Sequence, residues 1–176
     1  ISFPSTLVTL GQENGTLYSD GAFANCTGLC CEIVIPEKME SIGPNTFRGD
    51  DGLYGRIYLP ESLRFLGEAA FRGCKGLSGS LKIPHKICQI PDECFWSCGF
   101  GGTLTLHDGI TSIGTRAFSD CYFKGGISLP SQLEVISEES FASCKFSGSL
   151  VLPAGVRVIG KRAFVWNSRL IGILEI

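Results

Sequence analysis

Leu63-Arg64-Phe65-Leu66-Gly67-Glu68-Ala69-Ala70-Phe71-Arg72-Gly73-Cys74 is the stretch on which the fold turns. Two apolar residues stand three apart (Leu63 and Leu66). A glycine follows, then a small residue before a phenylalanine, and a cysteine three residues after it. The same grammar recurs at Ile110 to Cys121 and at Val156 to Asn167, where an amide stands in the cysteine's place. Phenylalanine marks it throughout, at Phe23, Phe47, Phe71, Phe95, Phe118, Phe141 and Phe164, at intervals of 24 residues and then 23.

Proline keeps step with the phenylalanines. Pro36, Pro60, Pro84, Pro130 and Pro153 each follow two apolar residues at alternate positions, such as Leu81 and Ile83 or Leu150 and Leu152, and His107 replaces proline once. Alternation over so short a run reads as a strand with one face inward. Proline ends it, because proline has no N–H for a ladder. A second apolar pair follows at Met39/Ile42, Leu63/Leu66, Ile87/Ile90, Ile110/Ile113, Leu133/Ile136 and Val156/Ile159. A unit of this length cannot bury its own apolar face and must stack on copies of itself. The expected fold is a leucine-rich-repeat solenoid of about seven 23- to 24-residue turns. Each turn carries a short parallel β-strand, and the chain is mostly strand and turn with little helix.

The turns are read as one domain over residues 1–176, at about 1–30, 31–54, 55–78, 79–101, 102–124, 125–147 and 148–171, with a further strand starting at 172–176. Residues Gly11 to Gly21 lengthen the first turn. The shortening from 24 to 23 residues has a local cause. Cys74-Lys75-Gly76-Leu77 becomes Cys98-Gly99-Phe100, then Cys121-Tyr122-Phe123 and Cys144-Lys145-Phe146. One backbone residue is lost and leucine becomes phenylalanine, a swap that conserves volume.

Written out, the unit resembles the BspA-like leucine-rich repeats, whose pattern is close to Leu-x-x-Ile-Gly-x-x-Ala-Phe-x-x-Cys-x-x-Leu-x-x-Ile-x-Ile-Pro, and the resemblance covers nearly the whole chain. It implies a secreted or cell-surface protein that binds a protein or glycan on another cell or matrix. A glycine before each strand (Gly55, Gly79, Gly102, Gly125 and Gly148) is more regular than that pattern requires.

Composition narrows the function. The 176 residues are 44% hydrophobic and 18% charged, with a formal net charge of -2. There is no basic stripe to neutralise nucleic-acid phosphates and no apolar run of the roughly 18 to 20 residues that a membrane-spanning helix needs. Neither a nucleic-acid partner nor membrane insertion is expected. His85 and His107 are the only near-neutral bases, and no nucleophile with an orienting carboxylate recurs beside them. No catalytic or metal-binding constellation is read, and no cofactor.

Cys26, Cys74, Cys98, Cys121 and Cys144 share one place in successive turns, filled by Asp50 and Asn167 elsewhere. A buried thiol or amide there can bond loop backbone; ladder disulfides are the alternative, since adjacent turns lie within disulfide reach. Cys30 and Cys31 cluster near Cys26, Cys88 and Cys94 stand apart, and the total of nine is odd. Asn14 and Asn25 open N-glycosylation sequons.

The expected binding face is the outward side of the strands before the prolines: Glu32, Val34, Arg56, Tyr58, Ser80, Lys82, Thr103, Thr105, Ser128 and Val151. The rival is an end-to-end contact through Ile1, Phe3, Leu174 and Ile176, which would make the chain a protomer of a filament. A third reading is a fragment of a longer repeat array.

Overall fold

The computed structural model describes residues 2–11 and 21–171. Ile1, Asn14, Leu174 and Ile176 lie outside the described residues. Within them the chain is a solenoid of parallel strands two or three residues long, with no helix among the described residues. None there is long and apolar enough to cross a membrane.

The most continuous ladder follows the proline. Thr9–Leu10, Ser41–Ile42 and Phe65–Leu66 pair in parallel. Gln89–Ile90, Ser112–Ile113, Val135–Ile136 and Val158–Ile159 form a second run. Each segment is launched by a turn in which the residue three after the proline donates its N–H to the proline carbonyl, as Leu63 does to Pro60 and Leu133 to Pro130. Ile110 does the same to His107, which explains how histidine fills a proline position.

The strand expected before the proline is present at Leu81–Lys82 and Leu104–Thr105, which pair in parallel. Two further pairs lie just upstream, Tyr54–Arg56 with Gly76–Ser78 and Ser147–Ser149 with Arg169–Ile171. Gly55, Gly79, Gly125 and Gly148 have φ between +78 and +88°. They bend the chain ahead of the proline, Gly55 and Gly148 within these upstream segments and Gly79 just after one, in a conformation that a Cβ opposes.

The phenylalanines stack as one column. Consecutive ring centroids from Phe23 to Phe164 are 5.3 to 5.7 Å apart and the rings lie within 18° of parallel. Phe3 adds an edge contact at 5.9 Å from Phe23. The Leu-to-Phe swap does more than fill volume: Phe100, Phe123 and Phe146 form a second stack at 5.8 Å spacing. Their rings meet the first column edge-on at 70 to 75°. Parallel-displaced contacts along each stack and edge contacts between stacks are the two arrangements that a ring quadrupole favours.

From Phe47 to Phe164 each turn also holds two left-handed residues, one placed two residues before its phenylalanine and the other two residues after it. Glu93 and Ser97 flank Phe95, Arg116 and Asp120 flank Phe118, and Glu139 and Ser143 flank Phe141, all with φ of 52 to 56°. At these positions and at the phenylalanine itself the backbone N–H donates to the next turn: Glu93 to Thr115, Phe95 to Ala117 and Ser97 to Ser119. The left-handed geometry, which costs an L-residue about 1 to 2 kcal/mol, is offset by these inter-turn bonds.

Nine cysteines are free thiols. The sulfurs of Cys74, Cys98, Cys121 and Cys144 donate to the carbonyls of Phe47, Phe71, Phe95 and Phe118 at 3.0 to 3.2 Å. The amide of Asn167 donates likewise to Phe141 at 2.7 Å. From Cys74 to Asn167 the column is therefore one of hydrogen-bond donors, and the ladder-disulfide alternative is not formed, since these thiols are free.

Candidate functional site

Among the described residues the ladder after the prolines is broken once, between Phe65–Leu66 and Gln89–Ile90. Pro91 is the reason. In the other turns the residue after the strand donates its N–H to the preceding turn: Gly67 to Ile42 at 2.8 Å, Gly114 to Ile90 at 2.8 Å, Gly160 to Ile136 at 2.7 Å. Pro91 holds that place and has no N–H. Among the described residues no backbone hydrogen bond joins 64–67 to 88–91. The turns stay together on the phenylalanine side, where Ala69 N–H donates to Asp92 at 3.0 Å and Phe71 N–H to Cys94 at 2.9 Å.

A groove of about 1070 Å³ lies over this break. Arg64, half-buried Phe65 and Leu66 line one side, Lys86, Gln89 and Asp92 the other. Arg64 is held by Glu40 at 3.0 Å, and Asp92 accepts the Thr115 N–H at 2.6 Å. The Arg64 and Leu66 carbonyls and the Gln89 amide are the groups that ladder continuity would have paired. The break thus brings unpaired acceptors and a donor to a groove with a partly exposed ring. Sequence reading missed this place. Its signal was Pro91, a proline at the position that Gly67, Gly114 and Gly160 occupy in other turns.

The strip expected from the sequence is exposed at every position: Glu32, Val34, Arg56, Tyr58, Ser80, Lys82, Thr103, Thr105, Ser128 and Val151. It lies on the segment before the proline, apart from the groove. Tyr58 is 73% exposed and is its one aromatic. Part of the strip is occupied by its own contacts: Lys82 pairs with Glu61 at 2.7 Å, and Ser80 Oγ accepts the Thr103 N–H at 3.0 Å. Phe3, expected at an end-to-end contact, is half-buried against the column. Asn25 is exposed, in a left-handed turn.

A separate surface network ties the phenylalanine-side turns together. Arg72 pairs with Glu93 at 2.6 Å and lies over the Trp96 ring at 4.1 Å, and the Trp96 indole N–H donates to Asp120 at 3.0 Å. Arg116 and Arg162 both reach Glu139. The Arg116 bond holds the Glu139 carboxyl below its ordinary range. With its charges and donors matched, this network straps five turns, from Arg72 to Arg162. The His85 and His107 rings lie 4.9 Å apart, tilted at 52° to each other, and the Gly109 N–H donates to His107 Nδ1, which assigns the ring proton to Nε2 facing the Ile87 carbonyl. Among the described residues no group of three or more His, Cys, Asp or Glu is placed to hold a metal ion.

Against known proteins, the family described as BspA type leucine rich repeat region, in six copies, matches residues 1–100 and 53–171. No curated protein sequence matches the chain. Among solved structures the chain is similar to a leucine rich cell surface protein from Faecalibacterium prausnitzii, at 21% identity and a TM-score of 0.48 over 85% of this chain and 54% of that one. It is also similar to a leucine-rich repeat protein from Bacteroides ovatus, at 18% identity and a TM-score of 0.44 over 98% of this chain and 59% of that one. The chain therefore spans less than two thirds of either.

Proposed function

The chain belongs to the BspA-type leucine-rich-repeat family, and from that premise we propose that it is a non-enzymatic recognition module, secreted or carried on a cell surface, that binds a glycan in the groove at the Pro91 break. The observation that carries this reading is the coincidence of that groove with the only interruption of the post-proline ladder among the described residues. Sugar hydroxyls donate and accept at once, so a run of them can serve the Arg64 and Leu66 carbonyls together with the Gln89 amide. The half-buried face of Phe65 suits the apolar face of a pyranose, in the way that binding sites set a few polar groups against an aromatic wall.

The test is a glycan array followed by titration of any hit against variants. Pro91→Ala restores the N–H facing the Leu66 carbonyl, so it is expected to close the break, raise the melting temperature and weaken binding. Phe65→Ala is expected to weaken binding without closing the break. Binding that survives both substitutions and is lost in Arg56→Ala or Tyr58→Ala moves the site to the strip before the prolines. Capture of a protein and no glycan makes the partner a protein.

A second reading, end-to-end self-assembly, is favoured by Val158 and Ile159. They are 50% and 48% exposed, whereas Ile42, Ile113 and Ile136 on the same ladder are fully buried. A further parallel strand, from a following turn of a longer array or from a second copy, would cover them. Light scattering across a concentration series separates the readings: growth with concentration supports assembly, and a constant monomer mass removes it. Occupancy of the Asn25 sequon, which goes with secretion through a eukaryotic route, is tested by the mass change on enzymatic deglycosylation.

A further inference from the structure

The donor column has one member of different chemistry. Cys74, Cys98, Cys121, Cys144 and Asn167 each donate a hydrogen bond to the carbonyl of a phenylalanine 27 or 26 residues earlier. Asp50 holds the same place and is fully buried. Counting back 27 residues, as for Cys74 and Cys98 in the 24-residue turns, sets the Phe23 carbonyl opposite its side chain. An ionised carboxylate has no proton to offer a carbonyl. Both Asp50 carboxyl oxygens lack a hydrogen-bond partner when treated as acceptors, whereas the thiol of Cys74, the next member of the column, donates to the Phe47 carbonyl at 3.1 Å.

We propose that Asp50 is carried as a neutral carboxylic acid whose O–H fills the donor position toward Phe23, so that the first turns are tightened by acid and loosened when that proton leaves.

The surroundings favour the protonated form. Burial pushes the Asp50 carboxyl up to about 6, and the negative charge of Asp51 beside it acts in the same direction; the backbone amide of Cys26 opposes them without reaching hydrogen-bond geometry. The titratable groups that act on it are Asp51 on its own turn and the Cys74 thiol on the following one, and the preceding turn presents the backbone of Cys26. The Cys74 thiol is itself pushed upward, chiefly by burial and further by Asp50. In the unfolded chain the carboxyl titrates near its ordinary value of about 3.9. The folded state therefore holds the extra proton between that value and about 6. Stability contributed by this group is full below about pH 4, falls as pH rises to about 6, and is flat above. The pH effect is opposite in sign to that of a salt-bridged carboxylate.

Thermal unfolding of the whole chain at pH 5 and pH 7.5 tests this, comparing the unaltered protein with Asp50→Asn and Asp50→Cys, both of which supply a donor that does not depend on a carboxyl proton. Hydrogen exchange over residues 23–53, corrected for the intrinsic pH dependence, provides a local readout. The expected result is that the opening equilibrium of these turns rises on the order of tenfold or more in the unaltered protein between the two pH values. Both variants are expected to remove that rise and to melt above the unaltered protein at pH 7.5. Should Asp50→Asn fail to fold, Asp50→Cys, the residue of the neighbouring turns, carries the comparison. A stability difference between unaltered protein and variants that is the same at both pH values overturns the proposal, as does an unaltered protein that gains stability with rising pH in these turns.

Discussion

Removing one ring from the middle of the stack measures how far the phenylalanine column holds the solenoid together. Phe118 is fully buried, with Phe95 stacked at 5.6 Å on one side, Phe141 at 5.5 Å on the other, and Phe123 edge-on at 6.2 Å. Phe118→Ala removes a ring that buries on the order of 150 Å² or more, which at about 25 cal/mol per Å² is close to 4 kcal/mol. Close stacking with the turns on either side prevents the cavity from collapsing, so the cost belongs in the upper part of the usual range, about 4 to 5 kcal/mol. Phe164 is half-buried and has one stacking partner, Phe141 at 5.3 Å; Phe164→Ala is expected to cost about half as much. Urea unfolding followed by circular dichroism reads both. Because nearest-neighbour contacts carry the stability of a repeat array, the central truncation is also expected to split one transition into two as the halves uncouple. Equal losses for the two variants, or a Phe118→Ala loss under about 2 kcal/mol, well short of central core Phe truncations, would refute a column whose centre bears more than its end.

Three further outcomes follow from single contacts. Cys121→Val keeps the apolar volume but leaves the Phe95 carbonyl with only the Cys98 N–H at 3.3 Å and is expected to cost about 0.5 to 1.5 kcal/mol, whereas Cys121→Asn, which copies Asn167, is expected to cost less; the same urea assay compares them. Ser143→Gly relieves a left-handed residue at φ 56° and is expected to stabilise by about 1 kcal/mol, with Ser143→Val moving the melting temperature the other way. Glu139, held below its ordinary range by the Arg116 guanidinium, contributes stability at neutral pH that is lost as pH falls through its lowered value. In a melting series under acid, Glu139→Gln is expected to flatten that loss, while Asp50→Asn alters the limb above pH 4.

A thiol count gives an independent check on the column. Burial raises Cys98 and Cys121 well above the ordinary thiol range and Cys144 to about 12. These are expected to react with a disulfide reagent only after denaturation, while exposed Cys30 and Cys88 react in the native protein. Rapid native reaction of more than the exposed and half-exposed thiols would mean that the column is open.

The repeat, its register and the two structural columns were legible in the amino-acid order, because stacking forces equivalent positions to meet and so leaves a period in the chain. The switch from Leu77 to Phe100 was legible as a change of volume. Its geometry was not: a second stack set edge-on to the first depends on ring orientation. The main ladder was half legible, since the pair Leu63 and Leu66 marks buried positions but at a spacing that strand alternation does not suggest.

By itself the sequence determined a solenoid, with phenylalanine inside, donors in one column and proline marking the same place in most turns. These follow from local chemistry repeated at a fixed interval. Only the tertiary structure decided what a single departure from the repeat does. Pro91 breaks the ladder because the carbonyl it fails to serve belongs to Leu66, one turn away. Asp50 stands out because the register places the Phe23 carbonyl opposite it. In both cases the physical partner lies on a neighbouring turn some two dozen residues distant, and only stacking brings it there.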